Sequence, residues 1–173
     1  MTIVQNGNAH PEGLGEAWSA ARAYWADPSE ENRARIDPWL TYDGTRYQYL
    51  GGLPDRLAEL IAPETWELDW QSISRRHGLQ AQWDLFTDYR THVARFDEIA
   101  RFHKDQQPPL LLLWGVHDPF FEVEEVLAYH RAIPAAESHL FDSAHLLLET
   151  HSAQCIPLIN AFLKRIDEQS RAN

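Results

Sequence analysis

The run Leu110-Leu111-Leu112-Leu113-Trp114, set between Pro108-Pro109 and "GVHDPFF", constrains this chain more than any other stretch. A continuous apolar run of this kind lacks the alternation of a half-buried strand. It reads as a strand covered on both faces, as in the interior of a parallel sheet. Such a strand needs a neighbour on each side, and parallel neighbours are joined by crossover connections, usually helices. The residues that follow supply both. "EVEEVLAYHRAI" has helical character and is stopped by Pro134, "ESHLF" is a second short strand, and "LLLETHSAQCIPLINAFLKRI" is an amphipathic helix that Pro157 must kink or restart. Residues 106–173 therefore read as a βαβα unit with parallel strands.

Residues 1–13 hold "TIVQ", the end of a short strand, and then "NGNAHPEGLG", a loop leading into helices. Residues 14–105 are predominantly helical. Apolar residues recur at Trp18, Ala21 and Trp25 from Leu14 onward. Asp27 is a capping candidate, with Pro28 at the first helical position and Glu30 completing a capping box, for a helix running to about Leu40 and disturbed at Pro38. The stretch 41–62 mixes aromatics with turn residues and reads mostly as loop. "APETWELDWQSI" is a short helix, and residues 77–105 read as one long helix with Trp83, Phe86, Val93, Phe96 and Ile99 on one face.

Composition narrows the partners. Apolar residues make up 44%, with seven Trp, seven Phe and six Tyr, enough for a folded core. A net charge of −11 disfavours nucleic acid. No cluster of Lys and Arg points to an anionic membrane, and no apolar stretch is long enough to span one. The amino terminus lacks the basic start and apolar stretch of a signal peptide. Cys155 is the single cysteine, so no intramolecular disulfide can form, which fits a reducing, cytoplasmic setting.

Two residues stand where chemistry is done in open α/β sheets, just past the carboxyl ends of strands. Asp118 follows the first strand of the βαβα unit and His145 follows the second. An acid there orients a histidine and stabilises its charged form, and a histidine serves as general base near neutral pH. Asp118 can also be read as a turn or capping residue beside Pro119. Asp142 is a rival acid three residues from His145, although a turn Asp often bonds its own backbone. No G-x-S-x-G occurs, and none of the eight serines sits on a tight strand-to-helix turn between small neighbours. Ser143 shares the loop of His145 but has no such elbow. Nothing near Cys155 would lower its pKa. His139 and His145 are six residues apart with no second pair at ligand spacing, so no metal is expected, and no cofactor is implied.

"PPLLLLWGVHDPFF" followed by "IPAAESHLFDSAHLLLETHSAQ" resembles the carboxyl-terminal end of α/β-hydrolases, in particular the branch of epoxide hydrolases and haloalkane dehalogenases. "IVQNGNAHPEGLG" is similar to the passage in that branch where the chain leaves the sixth core strand for the helical cap. The resemblance implies a partial α/β-hydrolase fold: the end of a core strand and a connecting loop over 1–13, a helical cap over 14–105, and the βαβα end of the core over 106–173. It makes Asp118 the acid and His145 the base of a triad. Glu12 matches the alternative position of the acid, after the sixth strand. The nucleophile elbow, an Asp after the fifth strand in this branch, has no counterpart in these residues. Trp18, Trp25, Tyr42, Tyr47, Tyr49, Trp83 and Tyr89 could line an apolar pocket for a small substrate, or simply pack the cap on the core.

The expectation is an α/β-hydrolase-like chain with an acid and a histidine but no nucleophile, inactive alone. The alternatives are a non-catalytic module binding a small molecule or protein, and a truncated gene product. Each Leu side chain buried contributes roughly 1.5–3 kcal/mol. A remnant sheet that left Leu110–Leu113 half exposed would therefore call for self-association or a partner chain over its edge.

Overall fold

The computed structural model describes residues 1–172. At its centre is a three-stranded parallel sheet in the order β1-β2-β3, formed by β1 (Thr2–Gln5), β2 (Leu110–Gly115) and β3 (Glu137–Phe141). The register pairs Thr2 with Leu110 and Gln5 with Leu113 on one side, and Leu111 with Glu137 and Gly115 with Phe141 on the other. The apolar run is thus the middle strand, as its composition requires.

Both faces of β2 are covered. Leu110, Leu112 and Trp114 pack with Val126, Tyr129 and Ile133 of the β2–β3 crossover, which contains helix α8 (Glu124–Ala132). Leu111 and Leu113 point the other way, onto Leu147, Cys155 and Phe162 of the carboxyl-terminal helix (Leu147–Ala172). Leu110–Leu113 are at most 2% exposed. The expected loss of their burial does not occur, because one helix on each face is enough to cover a single central strand. Exposure falls instead on the flanking strands, at Ile3 (36%) and Leu140 (54%).

Seven α-helices lie between β1 and β2, α1 (Ser19–Ala26), α2 (Glu30–Ala34), α3 (Tyr42–Leu50), α4 (Asp55–Ala58), α5 (Glu64–Ile73), α6 (Arg76–Val93) and α7 (Phe96–Gln106), along with three short 3₁₀ helices at Pro11–Gly13, Glu16–Trp18 and Asp37–Leu40. Their boundaries correct the sequence reading at several points. Ser29, not Asp27, caps α2, accepting from the Asn32 amide. The stretch from 41 is a helix rather than a loop. Thr41 caps it by accepting from Gly44 N at 3.0 Å, and Gly44 is required because a Cβ there would stand 2.5 Å from the Pro38 and Trp39 carbonyls. Residues 77–105 form two helices, broken at Ala94-Arg95, so that the apolar residues of α6 and α7 can face different neighbours. In the last helix the non-helical residue is His151 (φ −125°, ψ 19°), six residues before Pro157, so the break precedes the proline instead of lying at it. Helix α9 is that carboxyl-terminal element. Among the described residues no helix is long and apolar enough to cross a membrane.

Candidate active site

The two strand-end loops face each other at the carboxyl edge of the sheet. The β2–β3 ladder continues into them, with Val116 N donating to Phe141 O (3.0 Å) and His117 N to Ser143 O (2.9 Å). Gly115 permits this approach, since a Cβ there would lie 2.3 Å from the Ala144 carbonyl oxygen. The locked loops bring His145 Nδ1 to 2.9 Å from Asp118 Oδ2.

Asp118 is buried, and each carboxylate oxygen has its own task. Oδ1 accepts from the amides of Phe120 (2.8 Å) and Phe121 (3.1 Å), making the turn after Pro119. Oδ2 accepts from His145 and from Asn6 Nδ2 at 2.8 Å. One oxygen thus makes the turn and the other meets the imidazole. Because Oδ2 can only accept from the ring, Nδ1 is the protonated nitrogen of a neutral His145, and Nε2 is the one left with a lone pair. Phe120 and Phe121 flank the imidazole, with ring centroids 4.9 and 5.5 Å away.

Asn6 was not singled out from the sequence, yet it ties the site together. It sits just past β1 with φ 41°, in the left-handed region that Asn tolerates better than most residues. Its Oδ1 accepts from Gly115 N at 2.9 Å, while Nδ2 donates to Asp118 and, at 3.3 Å, to Gly115 O. The preceding Gln5 donates through Nε2 to the backbone carbonyl of His145 at 2.7 Å. The end of β1 thus holds both loops. The available signal was "QNG": an Asn-Gly pair directly after an apolar strand, where a left-handed residue commonly stands.

The rival acids are engaged elsewhere. Asp142 accepts from His117 Nε2 at 2.7 Å and from Arg56, and the His117 hydrogen bond draws its carboxyl below the usual range. Glu12 pairs with Arg131 of α8. At the end of β1 the residue touching Asp118 is Asn6, not Glu12. Ser143 and Cys155 are both buried. Ser143 is fully buried with Oγ 2.7 Å from Thr150 Oγ1. Burial pushes the Cys155 thiol up, away from the reactive thiolate. His139 bonds Glu137. Among the described residues no side chain hydrogen-bonds His145 Nε2, and no cluster of three or more His, Cys, Asp or Glu is placed to hold a metal ion.

Above His145 lies a cavity of about 220 Å³ between α1, α3, α6 and the Phe120-Phe121 turn. Of the cap aromatics singled out from the sequence, Trp18 and Tyr89 line it, stacked at 4.6 Å. Trp39, which the sequence reading passed over, lines it too. Tyr47 packs against Trp39 beside it. The other four hold the helices together. Trp25 donates to the Phe86 carbonyl, Trp83 is buried under Arg33, Tyr42 bonds Glu67 and Tyr49 bonds Asp69.

Comparison with known proteins gives the fold its name. No protein-family model matches the chain. An uncharacterised hydrolase of Saccharomyces cerevisiae is 30% identical over 155 residues, which is 86% of this chain and 52% of the yeast protein. The cis-3-alkyl-4-alkyloxetan-2-one decarboxylase of Xanthomonas campestris is 38% identical over 58 residues, 33% of this chain and 19% of that protein. In fold, the chain is similar to the meta-cleavage product hydrolase of Pseudomonas fluorescens (TM-score 0.57, 17% identity, 95% of this chain and 55% of that one). A thermophilic esterase is similar too (TM-score 0.52, 15% identity, 95% and 56%). The chain thus spans about half the length of the yeast relative and of both solved structures. In fold, then, the chain carries part of an α/β-hydrolase-like architecture.

Proposed function

We propose that these residues form the acid–base half of a hydrolase active site of the epoxide hydrolase and haloalkane dehalogenase branch. Asp118 is the orienting acid, His145 the general base, and the nucleophile comes from outside the 173 residues. The observation that carries this reading is the Asp118–His145 contact at the floor of an apolar cavity, with Nε2 left free. In the branch that the sequence resembles, an Asp nucleophile forms an ester with a substrate carbon. His145 would then take a proton from water through Nε2, the hydroxide would attack the ester carbonyl carbon, and the bond from that carbon to the substrate oxygen would break, restoring the Asp carboxylate and releasing an alkoxide that takes the proton from His145. Asp118 stabilises the imidazolium formed in between. The edge of β1 facing away from β2 is the place for a further parallel strand, from a preceding segment, a partner chain or a second copy. The single buried cysteine suits a reducing, cytoplasmic setting.

The test is complementation. Alone, the chain should hydrolyse no epoxide, haloalkane or ester. Mixed or co-expressed with a polypeptide carrying the first half of such a fold, it should hydrolyse at least one of them, and His145→Ala should abolish the activity. No hydrolysis by the mixture, or hydrolysis that survives His145→Ala, counts against the reading. A second reading is favoured by one observation: the cavity is lined wholly by these residues and can bind a small molecule without a nucleophile. If binding is the whole function, Asp118→Ala and His145→Ala leave it intact.

A further inference from the structure

The cavity over His145 is apolar except for a few groups, and most of these are committed. Tyr89 donates its hydroxyl to Asn8 Oδ1, and the Trp18 indole donates to the Phe120 carbonyl at 2.8 Å. His145 Nδ1 is held by Asp118. No Asp, Glu, Lys or Arg lines the space. Gln48 on α3 and Gln82 on α6 are different. Both line the cavity and both are partly buried, yet neither amide has a hydrogen-bond partner among the described residues. Their amide atoms stay accessible, so a molecule entering the cavity meets two polar groups with no partner of their own. Both come from cap helices, whereas His145 comes from the core edge, so the uncommitted polar groups and the base belong to opposite walls.

We infer that Gln48 and Gln82 are the polar subsite of this cavity, reading a neutral oxygen of an otherwise apolar substrate whose remaining carbon frame lies against the aromatic walls. This rests on the reading of the cavity as the substrate site. Size and charge follow from the same walls. A cavity of about 150 Å³ holds benzene, so a space of about 220 Å³ suits a bicyclic frame of about ten non-hydrogen atoms. A carboxylate would enter without any cation to meet it and would lose its hydration. The substrate class is therefore a neutral ketone, ester or ether of that size, not an organic acid.

Calorimetric titration of the whole chain with three matched probes tests this: 1-indanone, indane, and indane-1-carboxylate. One neutral hydrogen bond is worth about three- to tenfold in affinity. Indanone should bind tighter than indane by about that factor, and the carboxylate should bind more weakly than either. Gln48→Leu with Gln82→Leu should make indanone and indane equal while retaining indane binding. Should the double variant fold poorly, the single variants Gln48→Leu and Gln82→Leu carry the test, and at least one of them should weaken the indanone preference. Equal binding of indanone and indane by the wild type, indanone preference surviving in the double variant, or no binding of any probe overturns the inference. Binding needs no nucleophile, so a failed complementation with intact indanone preference would sink the hydrolase reading and not this one. Preference lost in His145→Ala but kept in the double variant would do the reverse.

Discussion

Replacing Asn6 with Ala should cost the fold about 3 kcal/mol or more, although Asn6 contributes little to the apolar core. Its Oδ1 is the acceptor for the Gly115 amide, and Gly115 is buried beneath the two loops. Leaving that N–H unpaired costs about 1–3 kcal/mol. Its Nδ2 donates to Asp118 Oδ2, and a hydrogen bond to a charged group is worth about 1.5–3 kcal/mol. Ala must also hold φ 41°, where an L-residue is strained by about 1–2 kcal/mol. The terms are not strictly additive, but even their low ends reach about 3, a large share of a typical total of about 5–15 kcal/mol. Two further variants separate the causes. Asn6→Gly relieves the backbone and should recover roughly 0.5–1 kcal/mol relative to Ala, since the glycine also gains freedom in the unfolded chain. Asn6→Asp keeps an acceptor for Gly115 but sets a second carboxylate against Asp118 Oδ2, so its deficit should shrink as pH falls and one of the pair takes a proton. Urea unfolding followed by tryptophan fluorescence and circular dichroism, at pH 7.5 and at pH 4.5, measures all three. An Asn6→Ala deficit under about 1 kcal/mol, or Asn6→Asp and Asn6→Ala deficits that stay parallel across pH, would refute the reasoning.

Three other outcomes are expected. Gly115→Ala puts a Cβ 2.3 Å from the Ala144 carbonyl, so it should destabilise by about 1–3 kcal/mol and part Asp118 from His145, seen as a lost Nδ1 proton signal in NMR of the His145 ring. Glu125 is fully buried and accepts from Ala9 N (2.8 Å), Gly13 N (3.2 Å) and His10 Nδ1 (2.8 Å), so Glu125→Ala should lower the urea-derived stability by about 3–5 kcal/mol; a loss below about 1 kcal/mol would mean that the loop leading into the cap is held by something else. Burial, and then the neighbouring His10, hold the His103 imidazole below its ordinary pKa, so below about pH 6.5 the unfolded chain binds a proton that the folded one refuses and stability falls with pH. His103→Phe should flatten that limb, and identical pH profiles for variant and wild type would sink the assignment.

The parts of the fold that the sequence announces are those whose signal is local. Five apolar residues in a row mark β2 because a strand covered on both faces has no polar side to display, and Asp118 and His145 are conspicuous because each ends such a segment. Glu125 shows the opposite case. In "EVEEVLAYHRAI" an acid among helical charges reads as solvated, and nothing local says that the helix face bearing it will meet backbone amides 112 to 116 residues earlier in the chain. Asn6 was hidden for a similar reason: its worth lies in spanning the ends of two strands far apart in sequence. The helix at Tyr42–Leu50 was missed because Gly44 and its aromatics are poor helix formers, and the cap at Thr41 together with packing on α5 overrides that propensity. The break at Ala94-Arg95 falls between two good helix formers and carries no local signal at all.

What these long-range contacts achieve is a paired acid and histidine that owe nothing to a substrate or a nucleophile. The Asp118 carboxylate has four donors on it before anything binds: two amides of its own turn, Asn6 and His145. Its position is therefore over-determined, and the imidazole, wedged between two phenylalanine rings and tied through its backbone carbonyl to Gln5, inherits that rigidity. Preorganised groups need no reorganisation when charge develops, which is where most electrostatic assistance in catalysis arises. All the residues that orient His145 lie in or just after β1, β2 and β3, so on the proposed function a nucleophile brought to the open edge of β1 would meet an imidazole already aimed, and its arrival need only satisfy its own loop.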